Sequence, residues 1–217
     1  RAAGYARKDR VLRASDFVKG MGEDNNPEWK TVAYDEASGQ IVVPKGSVGF
    51  RWGEKGKWSL EEKASGNQET RLRLSLSDIK DGTSSVGFPY FGNREHDHFA
   101  GTDHPDVLKR NVPTKTLQLA DGETIVASVF DLFLANYGVD RGFGGENIGK
   151  AYDDLEPYTP AWAEKISGVP RDQIITVARE FALNAEKTGG RSMVILGAGL
   201  NHWYHMDMNY RGIINML

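Results

Sequence analysis

The spacing of apolar residues in the first half of the chain predicts short strands. Residues 30–34 and 40–43 are apolar-rich runs, and the Ala-Ser-Gly sequence at 37–39 between them is typical of a hairpin turn. From residue 72 to 76 leucines alternate with polar residues, the period-2 pattern of a strand with one wet face. Residues 81–112 are rich in Gly, Asp, His and Pro and show no period, so we predict a long irregular loop there.

The second half changes mostly to helical spacing. A further hairpin is predicted around Asp121-Gly122. Apolar residues between 130 and 137 then recur every three or four positions, and the glycine that follows is a natural helix end. Thr159-Pro160 is a typical helix opening and Gly168 a typical end. A longer amphipathic helix is predicted over residues 170–187.

The last part of the chain suggests a helix, a buried strand, a glycine loop and another helix. Residues 192–196 form a continuous apolar run of strand length, typical of a strand buried on both faces of a parallel sheet. Gly197-Ala198-Gly199 follows it, and a final helix comes next. We therefore predict an α/β fold with a Rossmann-like parallel-sheet portion over residues 116–217, preceded by a β-rich, loop-rich insertion over residues 1–115.

Composition restricts the chemistry that this chain can perform. The 217 residues are 39% hydrophobic and 26% charged with a net charge of −3, which gives no basic field for nucleic acid or an anionic membrane. No apolar run is long enough for a membrane helix. The chain has no cysteine, which excludes disulfides, iron–sulfur clusters, zinc–thiolate sites and thiol nucleophiles from this sequence.

The two ends suggest an internal piece of a longer protein. The chain starts at Arg1 without an initiator Met or a signal peptide, and it stops at Leu217 inside a run of helical periodicity. The alternative is a small protein with trimmed ends.

The loop after the apolar run is the best candidate site. Gly197 and Gly199 permit a sharp turn and close backbone approach, and a helix N-terminus beside them would suit a phosphate group. The third glycine of a dinucleotide fingerprint is replaced by His202. Asn201, His202 and His205 belong to a stretch, 201–207, with six hydrogen-bonding side chains. The alternatives are an ordinary strand-end turn and a surface loop that covers a subdomain contact.

Two other clusters are interpreted as structural. His96, His98 and His104 could form a three-nitrogen metal site, but their loop-like surroundings favour a solvated polar loop. Trp52 and Trp58 flank a basic turn, and this spacing fits a hairpin better than base stacking.

Several long blocks carry a family resemblance. They resemble the large catalytic (alpha) subunit of membrane-bound respiratory nitrate reductases, in the molybdopterin oxidoreductase (DMSO reductase) family. Residues 93–112 depart from the pattern. The blocks are Asn25-Asn26-Pro27-Glu28-Trp29-Lys30-Thr31-Val32, Gly49-Phe50-Arg51-Trp52-Gly53-Glu54-Lys55-Gly56-Lys57-Trp58, Val86-Gly87-Phe88-Pro89-Tyr90-Phe91-Gly92, Leu134-Ala135-Asn136-Tyr137-Gly138, Tyr158-Thr159-Pro160-Ala161-Trp162-Ala163-Glu164 and much of 190–212.

The resemblance implies an oxidoreductase of anaerobic respiration. Subunits of this kind hold molybdenum between two molybdopterin guanine dinucleotides and reduce nitrate to nitrite. Electrons arrive through a [4Fe-4S] cluster in the subunit's N-terminal part, an iron–sulfur beta subunit and a haem-bearing membrane gamma subunit that oxidises quinol. The expected location is peripheral, on the cytoplasmic face of the bacterial inner membrane, with no direct membrane insertion and no nucleic-acid partner.

The resemblance also indicates which of the family's functional residues this chain should contain. The family's aspartate ligand to molybdenum and its cluster-binding segment correspond to sequence before Arg1, so we expect no metal ligand and no catalytic residue in this chain. Gly197, Gly199, Asn201, His202 and His205 are expected near the cofactor. His202 is expected nearest to the pterin or the metal site, where its imidazole could donate a hydrogen bond without binding the metal. The chain by itself is therefore predicted to be inactive.

Two alternative functions remain open on the sequence. One is the same region of a sister molybdoenzyme, such as a selenate, chlorate or perchlorate reductase or an ethylbenzene dehydrogenase subunit. The other is a stand-alone nucleotide-binding or interaction module without redox activity.

Overall fold

The structure, a computed structural model, describes residues 11–17, 30–44, 71–89 and 107–216. Of the residues that the structure describes, about 33% are helical and 26% lie in strands, which confirms the mixed α/β class. The chain divides into two compact units, residues 1–149 and 150–217, and each is considered separately below. The predicted boundary at residue 115 falls inside a strand, because that strand is continuous from Val107 to Leu119.

A small three-stranded sheet forms in the first unit. Strands β1 (Ala33–Asp35), β2 (Gln40–Val42) and β3 (Leu72–Arg73) pair antiparallel in the order β2-β1-β3. Tyr34 lies opposite Ile41, which confirms the predicted hairpin. The predicted strand at 72–76 is shorter than expected, since Leu74 lies outside β3 and is half exposed.

A second sheet contains β4 (Gly82–Pro89), β5 (Val107–Leu119) and β6 (Gly122–Val126), all antiparallel in that order. The prediction of an irregular loop over 81–112 was wrong for residues 82–89 and 107–112, because residues 82–89 and 107–114 pair in continuous register. Residues 90–106 of that predicted loop lie outside the described residues. Pro113 lies where β5 changes partner: residues 107–114 pair with β4, and residues 115–119 pair with β6. The predicted turn at Asp121-Gly122 is confirmed, and Gly122 has φ +121°.

The core of this unit lies under the second sheet. Phe88 and Val112 pack with Ala135 of helix α1 (Val129–Asn136), and Val112 is completely buried. The predicted helix is confirmed, and Gly138 ends it with φ +65°. This apolar cluster fixes α1 against β5.

A buried carboxylate stabilises the start of α1. Asp131 is 1% exposed and accepts hydrogen bonds from the Leu76 amide at 2.7 Å, Ser75 Oγ at 2.7 Å, Ser128 Oγ at 2.8 Å and the Arg141 guanidinium. Burial raises the pKa of Asp131, but these hydrogen bonds outweigh burial and lower the pKa below its ordinary value. A negative charge is also favourable at a helix N-terminus.

A buried guanidinium holds the other end of the same helix. Arg110 of β5 is 1% exposed and donates to the carbonyl oxygens of Ala135 and Asn136, both at 2.9 Å. It also donates to the carbonyls of Glu146 at 2.9 Å and Asn147 at 2.8 Å. The last carbonyls of a helix have no partner within the helix. Arg110 therefore satisfies the C-terminus of α1 and anchors the loop that follows it.

Two helices of the second unit lie where the sequence predicts them. Helix α2 (Pro160–Ser167) is capped by Thr159, whose Oγ1 accepts from the Trp162 amide at 3.2 Å, and it ends at Gly168 with φ +73°. Helix α3 (Arg171–Thr188) ends at Gly189 with φ +69°. The end at Gly168 was predicted from the sequence, and both helices end on a glycine in the left-handed conformation.

Burial in the second unit differs from the prediction. No residue of α3, α4 (Ala198–Asn201) or α5 (Met206–Ile214) is buried by the described chain. The predicted strand at 192–196 forms no strand pairing within the described residues. The described sheets are both antiparallel, so they do not supply the expected parallel portion. A strand requires a neighbour, and residues 150–217 contain no other described strand.

Several predictions concern residues outside the described ranges. Trp52 and Trp58 with their basic turn, and the cluster of His96, His98 and His104, belong to this group. Within the described part of the chain, no helix is both long enough and apolar enough to cross a membrane.

Candidate functional site

The five predicted site residues lie on one short stretch between α3 and α5. Gly197 precedes α4, Gly199 and Asn201 lie inside it, and His202 ends it. His205 immediately precedes α5. All five residues therefore lie within the nine consecutive positions 197–205.

Open space surrounds both glycines. A Cβ built at Gly197 or at Gly199 would meet no atom within 4 Å. Gly197 is extended, with φ −145°, so no left-handed conformation demands glycine there. Within the described chain, neither packing nor backbone strain explains these two glycines.

The polar side chains of the stretch are exposed and partly organised. The Tyr210 hydroxyl donates to Asn201 Oδ1, which links the end of α4 to α5. His205 has φ +58°, and its ring centroid lies 4.0 Å from that of Tyr204. His202 and His205 are both exposed. The amide N–H₂ of Asn201 and the two imidazoles can therefore offer hydrogen bonds to a ligand.

The helix after the glycines is a single turn. Helix α4 contains four residues, and its first N–H groups have no partner within the helix. A helix this short adds little macrodipole, because few peptide dipoles align. The backbone N–H groups can still donate to an anion. A helix of four residues nevertheless supports the predicted phosphate site less strongly than a longer helix would.

The first unit contains a small cavity lined by residues between 110 and 148. It measures about 10 Å³ and has room for about one water molecule. Its lining includes two groups that the sequence interpretation missed, Arg110 and Asp131. The Ser128-x-x-Asp131 spacing, which resembles a capping box, could have revealed Asp131. No local pattern marks Arg110, whose partners are 25 to 37 positions away.

Metal-binding geometry does not appear in the described residues. No group of three or more His, Cys, Asp or Glu side chains there is arranged to hold a metal ion. His202 and His205 could each approach a bound group singly, as donors or acceptors of one hydrogen bond.

Comparison with known proteins shows high similarity over nearly the whole chain. No family model matches. The chain is 61% identical over 209 residues to "Respiratory nitrate reductase 2 alpha chain" of Escherichia coli strain K12, which covers 96% of this chain and 17% of that protein. It is 57% identical over 216 residues to "Respiratory nitrate reductase 1 alpha chain" of the same organism, covering 99% of this chain and 17% of that protein.

A more distant relative has a different name. "Perchlorate reductase subunit alpha" of Dechloromonas aromatica strain RCB is 28% identical over 205 residues, covering 94% of this chain and 16% of that protein. The chain thus spans about one sixth of the length of these relatives.

Proposed function

We propose that this chain is a segment of the molybdenum-containing catalytic subunit of a respiratory nitrate reductase, and that it forms one wall of the bis(molybdopterin guanine dinucleotide) site. The observation that carries the proposal is the 61% identity over 209 residues to a respiratory nitrate reductase alpha chain. The identity to the perchlorate reductase subunit is 28%, so the nitrate enzyme is favoured over that sister enzyme.

The proposed wall consists of the stretch from Gly197 to His205. When bound, the molybdenum cofactor would supply a two-electron oxygen-atom transfer, in which nitrate, two protons and two electrons give nitrite and water. The bare backbone at Gly197 and Gly199 would let the cofactor lie close to the chain, since no Cβ intervenes. Asn201 and His202 would donate directional hydrogen bonds that orient it.

The geometry of the stretch fits a large ligand on one side. Both glycines face open space, and His202 and His205 are exposed. The Tyr210 hydroxyl restrains Asn201 through its Oδ1, which leaves the amide N–H₂ free to orient toward a ligand. Because the described residues provide only one side, the remaining walls of the site belong to other parts of the subunit.

The proposal includes the expected partners and location. Relatives named as alpha chains support a complex of several subunits. The proposed partners are an iron–sulfur beta subunit and a haem-bearing membrane gamma subunit, with the [4Fe-4S] cluster of the catalytic subunit outside this sequence. The proposed location is peripheral, on the cytoplasmic face of the bacterial inner membrane.

The first experiment uses the complete catalytic subunit that carries this segment. His202→Ala is expected to lower nitrite production with reduced viologen by about 10-fold or more, since lost outer contacts to a metal centre typically have effects of this size. Bound molybdenum and pterin are measured on the same sample. Glu186→Gln, at an exposed position of α3, is the control and should leave both unchanged. Normal turnover and normal cofactor content in His202→Ala would contradict the proposed role of this residue.

The second experiment separates the alternatives. The complete enzyme is assayed with nitrate, chlorate, perchlorate and selenate, and the highest kcat/KM is expected for nitrate. The 217-residue chain supplied with cofactor and reduced viologen should produce no nitrite. Tight, specific guanine-nucleotide binding by a natural protein of this length without redox activity would instead favour a stand-alone module.

A further inference from the structure

Helices α4 and α5 form a small helical hairpin around the predicted site residues. The two helices contact each other, and residues 202–205 connect them. Tyr210 and Ile213 are half-buried, whereas the other residues of α5 are exposed. Residues three positions apart lie on the same face of a helix. Tyr210 and Ile213 therefore form the inner face of α5.

A side-chain hydrogen bond crosses this hairpin. The Tyr210 hydroxyl donates to Asn201 Oδ1, and the two residues are nine positions apart. Asn201 is the last residue of α4, so the bond joins the end of one helix to the inner face of the next. Asn201 is exposed, and an exposed side chain normally samples several rotamers. The bond from Tyr210 therefore restricts a side chain that would otherwise rotate in solvent.

The direction of this bond decides which end of the Asn201 amide a ligand meets. A carboxamide has an acceptor oxygen at one end and two N–H donors at the other. Because the Tyr210 hydroxyl donates to the oxygen, the N–H₂ end is the one that remains for a ligand. The ligand atom opposite Asn201 is then an acceptor, such as a carbonyl or phosphate oxygen. Without the hydroxyl, the amide can turn over and present its oxygen, which forms no hydrogen bond with an acceptor.

We propose that Tyr210 is a positioning residue of the cofactor site, and that its hydroxyl holds Asn201 so that the amide N–H₂ donates to an acceptor atom of the cofactor. The inference rests on the proposed function, since it takes the stretch from Gly197 to His205 as one wall of that site. It adds a residue outside the wall and the chemical class of the cofactor atom that Asn201 meets. Tyr210 acts through Asn201 and does not itself need to touch the cofactor.

The contribution of Tyr210 should be smaller than that of Asn201. A side chain that is ordered before the ligand binds loses less conformational entropy on binding. The net contribution of a single hydrogen bond corresponds to a change of about 2- to 10-fold in an equilibrium constant. Loss of Asn201 removes the contact with the cofactor itself, whereas loss of the Tyr210 hydroxyl removes only the restraint on that contact.

A double-mutant cycle in the complete, cofactor-loaded subunit tests the inference. The rate constant of cofactor release at raised temperature is followed by pterin fluorescence. Asn201→Ala is expected to speed release by about 10-fold or more, and Tyr210→Phe by about 2- to 10-fold. The double variant should release cofactor at the rate of Asn201→Ala alone, because Tyr210 acts only through Asn201. If the two effects instead multiply, Tyr210 has a merely structural role and the inference is overturned.

Two further variants test the direction of the hydrogen bonds. Asn201→Asp keeps an oxygen for the Tyr210 hydroxyl but has no donor, so cofactor release should be at least as fast as in Asn201→Ala. Release at the wild-type rate in Asn201→Asp would show that the cofactor atom is a donor, and would overturn the inference. Tyr152→Phe is the matched control, since Tyr152 is 54% exposed and lies outside residues 197–205, and it should leave release unchanged. An equal effect of Tyr152→Phe and Tyr210→Phe would also overturn it.

The same measurements separate this inference from the proposed function. If His202→Ala and Asn201→Ala both leave cofactor content and cofactor release unchanged, residues 197–205 are not a wall of the site and the proposed function fails with the inference. If both variants speed release while Tyr210→Phe does not, the wall is supported and this inference alone fails. Cofactor release is measured without nitrate, so the result does not depend on turnover.

Discussion

Two regions of the molecule differ in how far their own residues bury and pair their side chains. In the region around β5 and α1, the buried charges of Arg110 and Asp131 find their partners within the same unit. In residues 150–217, helices α3, α4 and α5 bury no residue, and large apolar side chains such as Ile195 and Tyr204 are exposed. Local signals nevertheless define the helix ends in both regions, since α1 and α2 each have a side-chain N-cap.

The difference shows that helix formation and burial have separate origins in this chain. Caps and glycine ends are local, so they operate wherever the sequence places them. Burial requires a neighbouring element, and the second unit contains too few described elements to cover α3 and residues 192–196. We therefore expect substitutions inside the first region to act on its own stability, and substitutions on the open surface to act mainly through partners.

The largest effect is expected at Arg110. Arg110→Met keeps the aliphatic stem but removes the donors that satisfy carbonyls at the end of α1 and in the following loop. Leaving several buried acceptors unsatisfied should cost about 3–5 kcal/mol of unfolding free energy. Urea unfolding followed by exchange of the β5 amides measures the change. Arg71→Met, whose side chain is 82% exposed, is the control and should change it by less than about 0.5 kcal/mol. An equal loss of unfolding free energy in both variants would contradict the stabilising role of the buried Arg110 hydrogen bonds.

The same contrast explains what could be predicted from the sequence. Thr159-Pro160 and Gly168 define α2 through interactions within a few residues, and the structure confirms them. The pairing of residues 82–89 with 107–114 was missed, because it depends on partners about 20 to 30 positions apart and not on a local period. Arg110 was missed for the same reason.

The candidate site was located only as a stretch of sequence. The composition of residues 197–205 is unusual enough to mark it, and its members are close to one another in the chain. Whether these residues contact a cofactor depends on surfaces beyond the described residues, which no periodicity in 217 residues can specify. The apolar run at 192–196 has the composition of a buried strand, but pairing requires a second strand, and the described residues of its own unit supply none.

Alanine substitutions at Gly145 and Gly199 compare the two regions by their effect on stability. Gly145 has φ +148°, and an added Cβ would lie 2.7 Å from Arg110 Cα. Gly145→Ala should therefore cost about 2–3 kcal/mol through backbone strain and overlap. Gly199→Ala meets no atom within 4 Å and should leave stability within about 1 kcal/mol or raise it slightly, since alanine favours a helix. Urea unfolding of both variants measures this. A large loss from Gly199→Ala would show that the second region has a hidden internal contact.

Asp131 should contribute to the acid sensitivity of the first unit. Its pKa is lowered in the folded state, so its stabilising contribution is present above the unfolded pKa of about 3.9 and is lost as the pH falls through the folded pKa. Asp131→Asn should cost about 2 kcal/mol at pH 7 and progressively less as the pH falls below 3.9, because the wild-type carboxylate then becomes protonated as well. Urea unfolding between pH 2 and 7 checks this. Glu123→Gln, at an exposed position of β6, should show a much smaller change. An Asp131→Asn difference that does not depend on pH would contradict the role of its charge.

The smallest effect is expected from the loss of an N-cap oxygen, a change that can be made in both regions. Ser128→Ala and Thr159→Ala each remove an N-cap oxygen, which accepts from Asp131 N at 2.9 Å and from Trp162 N at 3.2 Å respectively. Each should cost about 1 kcal/mol, with Thr159→Ser as the variant that keeps the cap. Ser128→Ala should lower the protection of α1 and β5 together, because Ser128 also donates to the buried Asp131. Thr159→Ala should lower protection mainly within α2. If Thr159→Ala reduced protection throughout residues 150–216 by the same factor, the second unit would unfold as one cooperative body, and its open surface would not reflect a dependence on partners.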